Sequence, residues 1–501
     1  MPVLHQARRT FNVAFLLVVT LSNFVPHGAQ SAGSAFIQIP HHSASSVELT
    51  NPPLLRNESH LLHTVEVTIT AAPARIAMIP GKPADVYAYN GSVPGPTLEA
   101  HEGDHVIIHY HNRLPEESTI HCHGIHLPAR MDGSPLEIVP PGGDFDYDFT
   151  LKAGSAGTYW YHPHPDNRSE YQVSKGLYGA IVVRAKADPL AAFPEKLLIL
   201  SDNRFTGNGS IDFADASTLP GELDAENGRE GNVFFVNGQI EPAISIRAGE
   251  TQRWRVINAS ASRIYRLAVA GRTLLHVGSD GGLFEHPVAV KEMLLANSER
   301  AEFLVTGGDT GGETGGETGG HNSRHAAGVA KFETLPYDRY ASQTRPGDWD
   351  EARTLATVRT NYARPVLAPP IPNTLRVIPP LDTGAARAIH VVVFSQGLIN
   401  NAVMDMHRVD VHATLNATDI WEIQNVVAMD HPFHLHGFQF QVLDRDGVTE
   451  PFRSWKDVVN VPKHSSVRII VRYTDYPGRW MFHCHILGHE DHGMMAILEV
   501  K

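Results

Sequence analysis

Strand-like alternation dominates the chain: runs rich in Val, Ile and Thr, apolar at every second position, are punctuated by Gly and Pro, and helical periodicity is scarce. The alternation is organised as a repeat. One unit reads YAYNGSVPGPTLEAHEGDHVIIHYHN from Tyr87 to Asn112, a second FFVNGQIEPAISIRAGETQRWRVIN from Phe234 to Asn258, and a degenerate third LINNAVMDMHRVDVHATLNATDIWEIQN from Leu398 to Asn425. Each carries an Asn near its start, a turn, an alternating apolar strand and a closing Asn. The closing residues stand 146 and 167 positions apart, close to one domain length. The pattern predicts an all-β chain of three tandem antiparallel β-sandwich domains over residues 50–187, 188–345 and 387–501. A linker is expected at 346–386, around the Pro-rich stretch from Tyr362 to Pro380. The acidic low-complexity run Gly307–His321 reads as a loop, because it has no apolar area to bury.

Length agrees, since 501 residues make roughly three domains at about 150 residues each. With 42% hydrophobic and 19% charged residues, and no long apolar run after the N-terminus, the body is globular and has no membrane span in its mature form. A formal charge of -13 disfavours a nucleic-acid partner. Residues 1–33 read as an export signal: Arg8 and Arg9, an apolar stretch Phe11–Leu21 too short to span a bilayer, then small residues from Gly28 to Ser34. Arg8-Arg9-Thr10-Phe11 looks like a twin-arginine signal. A periplasmic or secreted location follows.

The histidines change the picture further. Nine residues after Asn112 comes His121, then His123; nine residues after Asn425 comes His434, then His436. The equivalent positions of the second unit are Leu267 and Val269, so that domain is expected to hold no metal there. A second pair follows in each outer domain, His162 with His164 and His483 with His485, each five residues after a Gly and an aromatic run. Side chains i and i+2 leave one face of a strand about 6.6 Å apart, a spacing that lets two imidazoles reach neighbouring metals. With 30 His in the chain, random placement gives on the order of two His-x-His pairs; five occur. The fifth, His109 and His111, has no counterpart in the other units and is assigned to the surface. The other four predict a multinuclear centre between the first and third domains.

Both cysteines lie between histidines, in His121-Cys122-His123 and His483-Cys484-His485, which argues for a soft metal such as copper rather than a disulfide. Cys484, His489, Met494 and His431 supply a thiolate, two imidazoles and a weak axial thioether, the ligand set of a blue, electron-transferring copper. Cys484 points to the other strand face from His483 and His485, so covalent bonds join the two centres.

With the motifs HCHG at His121, HPH at His162, HPFHLHG at His431 and HCHILGHEDHGMM at His483, nearly everything after about residue 60 resembles the multicopper oxidase family, three-domain bacterial laccase-like and cuprous-oxidase type. The resemblance implies cupredoxin-like Greek-key domains and copper as cofactor: one type 1 site, one type 2 ion on His121 and His434, and a type 3 pair on His123, His162, His164, His436, His483 and His485. It implies that Asp132 and Glu490 supply protons to dioxygen, the oxidising partner. Cys122 departs from the family's usual aromatic at that position. With His126 and Met131 it imitates a second blue site, but its strand aligns with His434-Leu435-His436, so a buried structural thiol is expected.

The reducing partner is read as a phenol-like donor, because the Gly307–His321 insertion lacks Met and Asp430, next to His431, can accept a phenol's hydroxyl proton. The alternatives are a metallo-oxidase of Cu(I), Fe(II) or Mn(II), and a copper-sequestering protein without turnover. On this reading, Cys484→Ser abolishes the intense visible absorption and all turnover, whereas Cys122→Ser keeps both; absorption spectra of the two copper-loaded variants check it.

Overall fold

The computed structural model of the protein describes residues 47–215, 217–308, 328–339 and 351–501. The export signal expected at 1–33, and the Gly307–His321 loop beyond Gly308, lie outside the described residues.

Alternation becomes architecture directly. In strand Thr64–Ile79, Val65, Val67, Ile69 and Ala71 are buried, while the Thr and Glu side chains between them face outward. Six sheets form three pairs, one for each repeat. Each pair is filled by its own core: Val67, Ile69 and Tyr147 in the first, Trp254, Phe303 and Val358 in the second, Trp421, Phe433 and Trp480 in the third. The described helices are short: Ser169–Ser174, Leu219–Asn227 and Leu487–Asp491.

One arrangement occurs three times. The strand that closes each repeat, His105–Asn112, Thr251–Asn258 or Thr418–Asn425, runs parallel to a strand that enters its sheet pair early, Thr64–Ile79, Glu195–Asn203 or Ala386–Ser395. On its other side it runs antiparallel to Asp144–Thr150, Arg300–Thr306 or Ser466–Arg472. The closing Asn does the same work each time. Asn112 Nδ2 donates to the carbonyls of Glu116 and Val139, Asn258 Nδ2 to those of Arg263 and Leu295, and Asn425 Nδ2 to those of Met429 and Val461. Each Oδ1 accepts the backbone N–H two residues on, of Leu114, Ser260 or Val427. The Asn therefore fixes the corner through which the chain reaches the next strand, which in the outer units carries the histidines.

The linker expected at 346–386 is shorter than the sequence suggested. Arg353–Asn361 is a strand of the second sheet pair, antiparallel to Val329–Thr334 and parallel to Ala243–Arg247. Leu355, Ala356 and Val358 bury themselves in that core, which holds the strand although its own alternation is weak. His109 and His111 face outward and pair with Asp146 and Asp144 of the neighbouring strand at 2.7 and 2.6 Å.

Asn258→Ala would leave two buried carbonyls and one buried N–H without partners, at about 1–3 kcal/mol for each group left unmade. Urea denaturation is expected to show a loss of at least about 3 kcal/mol, in the unit whose strand there carries no imidazoles.

Candidate metal centre

The four His-x-His pairs are set by strand register. His121–His123 runs antiparallel to Gly157–His162, with His121 opposite His162 and His123 opposite Trp160. His431–Leu435 meets Gly478–Cys484 in the same register, with His434 opposite His483. Cys122 thus takes the place of Leu435, between two outward imidazoles and facing its own core. Burial pushes its thiol far above the ordinary range. His126 turns away to the carbonyl of Gly437 and to Asp475, so the imitation of a blue site is not assembled. Leu267 and Val269 are buried core residues of the second pair.

The eight imidazoles converge, none more than 1% exposed. Ring nitrogens of His123, His162 and His485 lie within 4.8 Å of one another, as do those of His164, His436 and His483, and those of His121, His123 and His434. Within these triads His436 Nε2 is 2.9 Å from His483 Nε2, and His123 Nδ1 is 3.4 Å from His162 Nε2. Desolvation pushes all eight well below the usual imidazole range, so they are neutral, the form that binds metal.

Their hydrogen bonds fix which nitrogen is offered. His121 Nδ1 donates to the Asp132 carbonyl at 2.7 Å and His434 Nδ1 to the Asp457 carbonyl at 2.8 Å. Both Nε2 atoms are then buried acceptors without a partner. A bound metal removes that cost, so this donor set fits copper.

Two carboxylates border the centre. Asp132 Oδ2 accepts from His436 Nδ1 at 2.7 Å, and burial pushes this carboxyl up to about 8. Glu490 lies 3.3 Å from both His164 Nδ1 and His483 Nδ1; burial, with Asp491 beside it, holds it protonated well above the carboxylate range.

On the opposite face of the same strand, donor atoms of Cys484, His431 and His489 lie within 4.8 Å of one another, with Cys484 Sγ 3.8 Å from His489 Nδ1. Met494 is fully buried beside them, its N–H donating to the His489 carbonyl at 2.9 Å. The far edge of His489 is closed: Nε2 donates to the Glu226 carbonyl at 2.9 Å, at the end of helix Leu219–Asn227. Asp430 is 2% exposed. Its oxygens accept from Asn460 Nδ2 at 2.8 Å, the Lys463 N–H at 3.0 Å and the Tyr337 hydroxyl. The expectation that it meets a phenol is therefore not met, because its acceptor sites are already occupied inside the protein.

Residues that carry no motif complete the site. Asp457 Oδ1 accepts from His123 Nε2 at 3.0 Å, Arg300 grips Asp457, and Ser298 Oγ lies 2.8 Å from His485 Nδ1. Their trace in the sequence is the Gly that follows two of the His-x-His pairs, Gly124 and Gly437. A Cβ on Gly124, at φ +86°, would come under 3.0 Å from Arg300 Nη2 and Asp457 Oδ2, and one on Gly437 would strike the Trp480 indole.

Models of the multicopper oxidase family match residues 70–188, 156–313 and 374–501. The chain is similar to a multicopper oxidase from Campylobacter jejuni described as a metallo-oxidase, at 33% identity and a TM-score of 0.80 over 91% of this chain and 95% of that one. It is similar to a laccase from Pediococcus acidilactici at 28% identity and a TM-score of 0.75, covering 92% and 95% of the two chains. It is also 28% identical to the multicopper oxidase mco of Staphylococcus aureus, over 90% of this chain and 92% of that protein.

Gly124→Ala should cost at least about 3 kcal/mol, the sum of left-handed strain and displacement of a buried ion pair, and should lower bound copper. Gly81→Ala, with φ +73° and nothing within 4 Å, should cost only about 1–2 kcal/mol and leave copper unchanged. Thermal melting with metal analysis checks both.

Proposed function

Because the chain belongs to the multicopper oxidase family, copper-dependent oxidoreductases that use dioxygen, we propose that it couples one-electron oxidation of a small metal-ion reductant to four-electron reduction of dioxygen to water. The observation that carries the coupling is the single strand on which Cys484 faces one centre while His483 and His485 face the other. Copper, when bound there, would supply the electron transfer and the binding and reduction of dioxygen. His431, Cys484, His489 and Met494 would hold type 1 copper, His121 and His434 type 2, and the remaining six imidazoles the type 3 pair. Asp132 and Glu490, each beside a cluster imidazole, hold the protons that reduction to water consumes.

The reductant is read from the closed edge of His489. With His431 and His489 only 3% and 5% exposed and the outer nitrogen of His489 taken by Glu226, a phenol ring has no imidazole to stack against. A metal ion needs no such contact. It can hand over an electron from the exposed carboxylates of Glu222 and Glu226 on the capping helix. The similar metallo-oxidase supports this reading. A periplasmic or secreted location is supported by the N-terminal sequence, and no described helix is long and apolar enough to cross a membrane.

Oxygen uptake by the copper-loaded protein is expected with Cu(I) or Fe(II) at rates at least about tenfold above those with a dimethoxyphenol, a difference of about 1.4 kcal/mol in barrier. Faster phenol turnover without added metal would overturn the metal-ion reading. Glu490→Gln and Asp132→Asn should keep copper and reduction of the blue site but slow oxygen consumption by about 10²-fold or more; stopped-flow absorbance separates the two steps.

A further inference from the structure

The second sheet pair contributes no imidazole to either centre, yet it sends a fully buried guanidinium to the edge of the cluster. Arg300 opens strand Arg300–Thr306 and meets all three pairs of sheets. Its Nη1 and Nη2 donate to the two oxygens of Asp457 at 2.7 and 2.5 Å. Its Nε donates to the Thr158 carbonyl at 3.1 Å, and its remaining donors to the carbonyls of Ser298 and Asp280 at 3.0 and 3.2 Å. Lys456 extends the network, lying 2.9 Å from Asp280 and 3.1 Å from Glu299.

Asp457 in turn holds two imidazoles. Its carbonyl receives His434 Nδ1, so His434 offers Nε2; its carboxylate receives His123 Nε2, so His123 offers Nδ1. The two ligands stack at 4.0 Å between ring centroids and present opposite nitrogens to one space. Such a reversal needs an acceptor at His123 Nε2 that cannot itself become a donor. Arg300 donates to both oxygens of Asp457, which fixes the carboxyl group with Oδ1 turned to His123 as an acceptor.

We infer that Arg300 is a positioning residue for the cluster, holding Asp457 as a fixed acceptor so that His123 presents Nδ1 rather than Nε2. The inference rests on the reading that the eight imidazoles bind copper. It assigns the second unit a defined task in building the cluster.

The test uses the full chain loaded with copper, in wild type, Arg300→Met, Arg300→Lys, Asp457→Asn and the Arg300→Met/Asp457→Asn double variant. Copper content, the blue absorption and electron paramagnetic resonance are read in each, with imidazole ¹⁵N shifts of the metal-free proteins. Arg300→Met is expected to keep the blue site but to bind cluster copper about 10- to 100-fold more weakly and to move the His123 nitrogen shifts. Arg300→Lys should restore most of the binding. Asp457→Asn should match Arg300→Met, and the double variant should be no worse than either, because the two residues act as one unit. Full cluster copper with unchanged resonance and ¹⁵N signals in Arg300→Met overturns the inference. If that variant does not fold, the near-isosteric Asp457→Asn decides: unchanged signals there overturn it equally. Loss of the blue site together with the cluster in every variant also overturns it, by showing a merely structural role. A wild type that takes up no copper instead overturns the oxidase reading, and this inference with it.

Discussion

Ring nitrogens here must be kept dry and unpaired at once, and that requirement governs the rest of the molecule. Water would satisfy them and a protein donor would consume them, so seven of the eight imidazoles have their other nitrogen tied to a carbonyl, a carboxylate or a hydroxyl. An unpaired buried acceptor costs about 1–3 kcal/mol, and the fold accepts that cost several times in one small space. It can do so because the two strands bearing each set of imidazoles are clamped in register by sheets that have their own separate cores.

An apolar cluster shared by the three units, with Trp160, Ile257 and Leu487 among its members, reaches the imidazoles through Trp160, which stacks on His162. Buried ions meet beside it: Glu302 joins Thr158 of the first unit to Arg253 and Arg255 of the second, and Asp457 and Lys456 of the third meet Arg300, Asp280 and Glu299. Buried ion pairs add little net stability, because desolvation offsets their attraction. They do discriminate sharply between arrangements, since a misplaced partner leaves a bare charge in a dry interior. The second unit, apolar at Leu267 and Val269 where its siblings carry imidazoles, works as the piece that aligns the other two.

The convergence of the imidazoles is legible because two periodicities coincide: the strand period puts His121 with His123 on one face, and the repeat puts them level with His434 and His436. The closing Asn residues were legible as markers, though not as the hydrogen-bonding corners they turn out to be. What stayed hidden acts across the units. Asp457 is 334 positions from His123 and belongs to no motif, and the hydroxyl partner of Asp430, Tyr337, lies 93 positions earlier. Strand Arg353–Asn361 reads as linker in the sequence because its burial comes from neighbours rather than from its own pattern. Local sequence carries local geometry; pairings fixed only by how the three cores settle together leave no such trace.

Cys484 between His483 and His485 has one further consequence. A slip of one residue in that strand would turn all three side chains over together, pulling the thiolate from its site and both imidazoles from theirs. No register keeps one centre while losing the other. On the proposed function, a half-built protein able to accept electrons but unable to carry dioxygen through to water would release partly reduced, damaging oxygen species. Strand parity works as a fail-safe against that species: a misfolded chain loses electron intake and oxygen chemistry in the same step, and is inert.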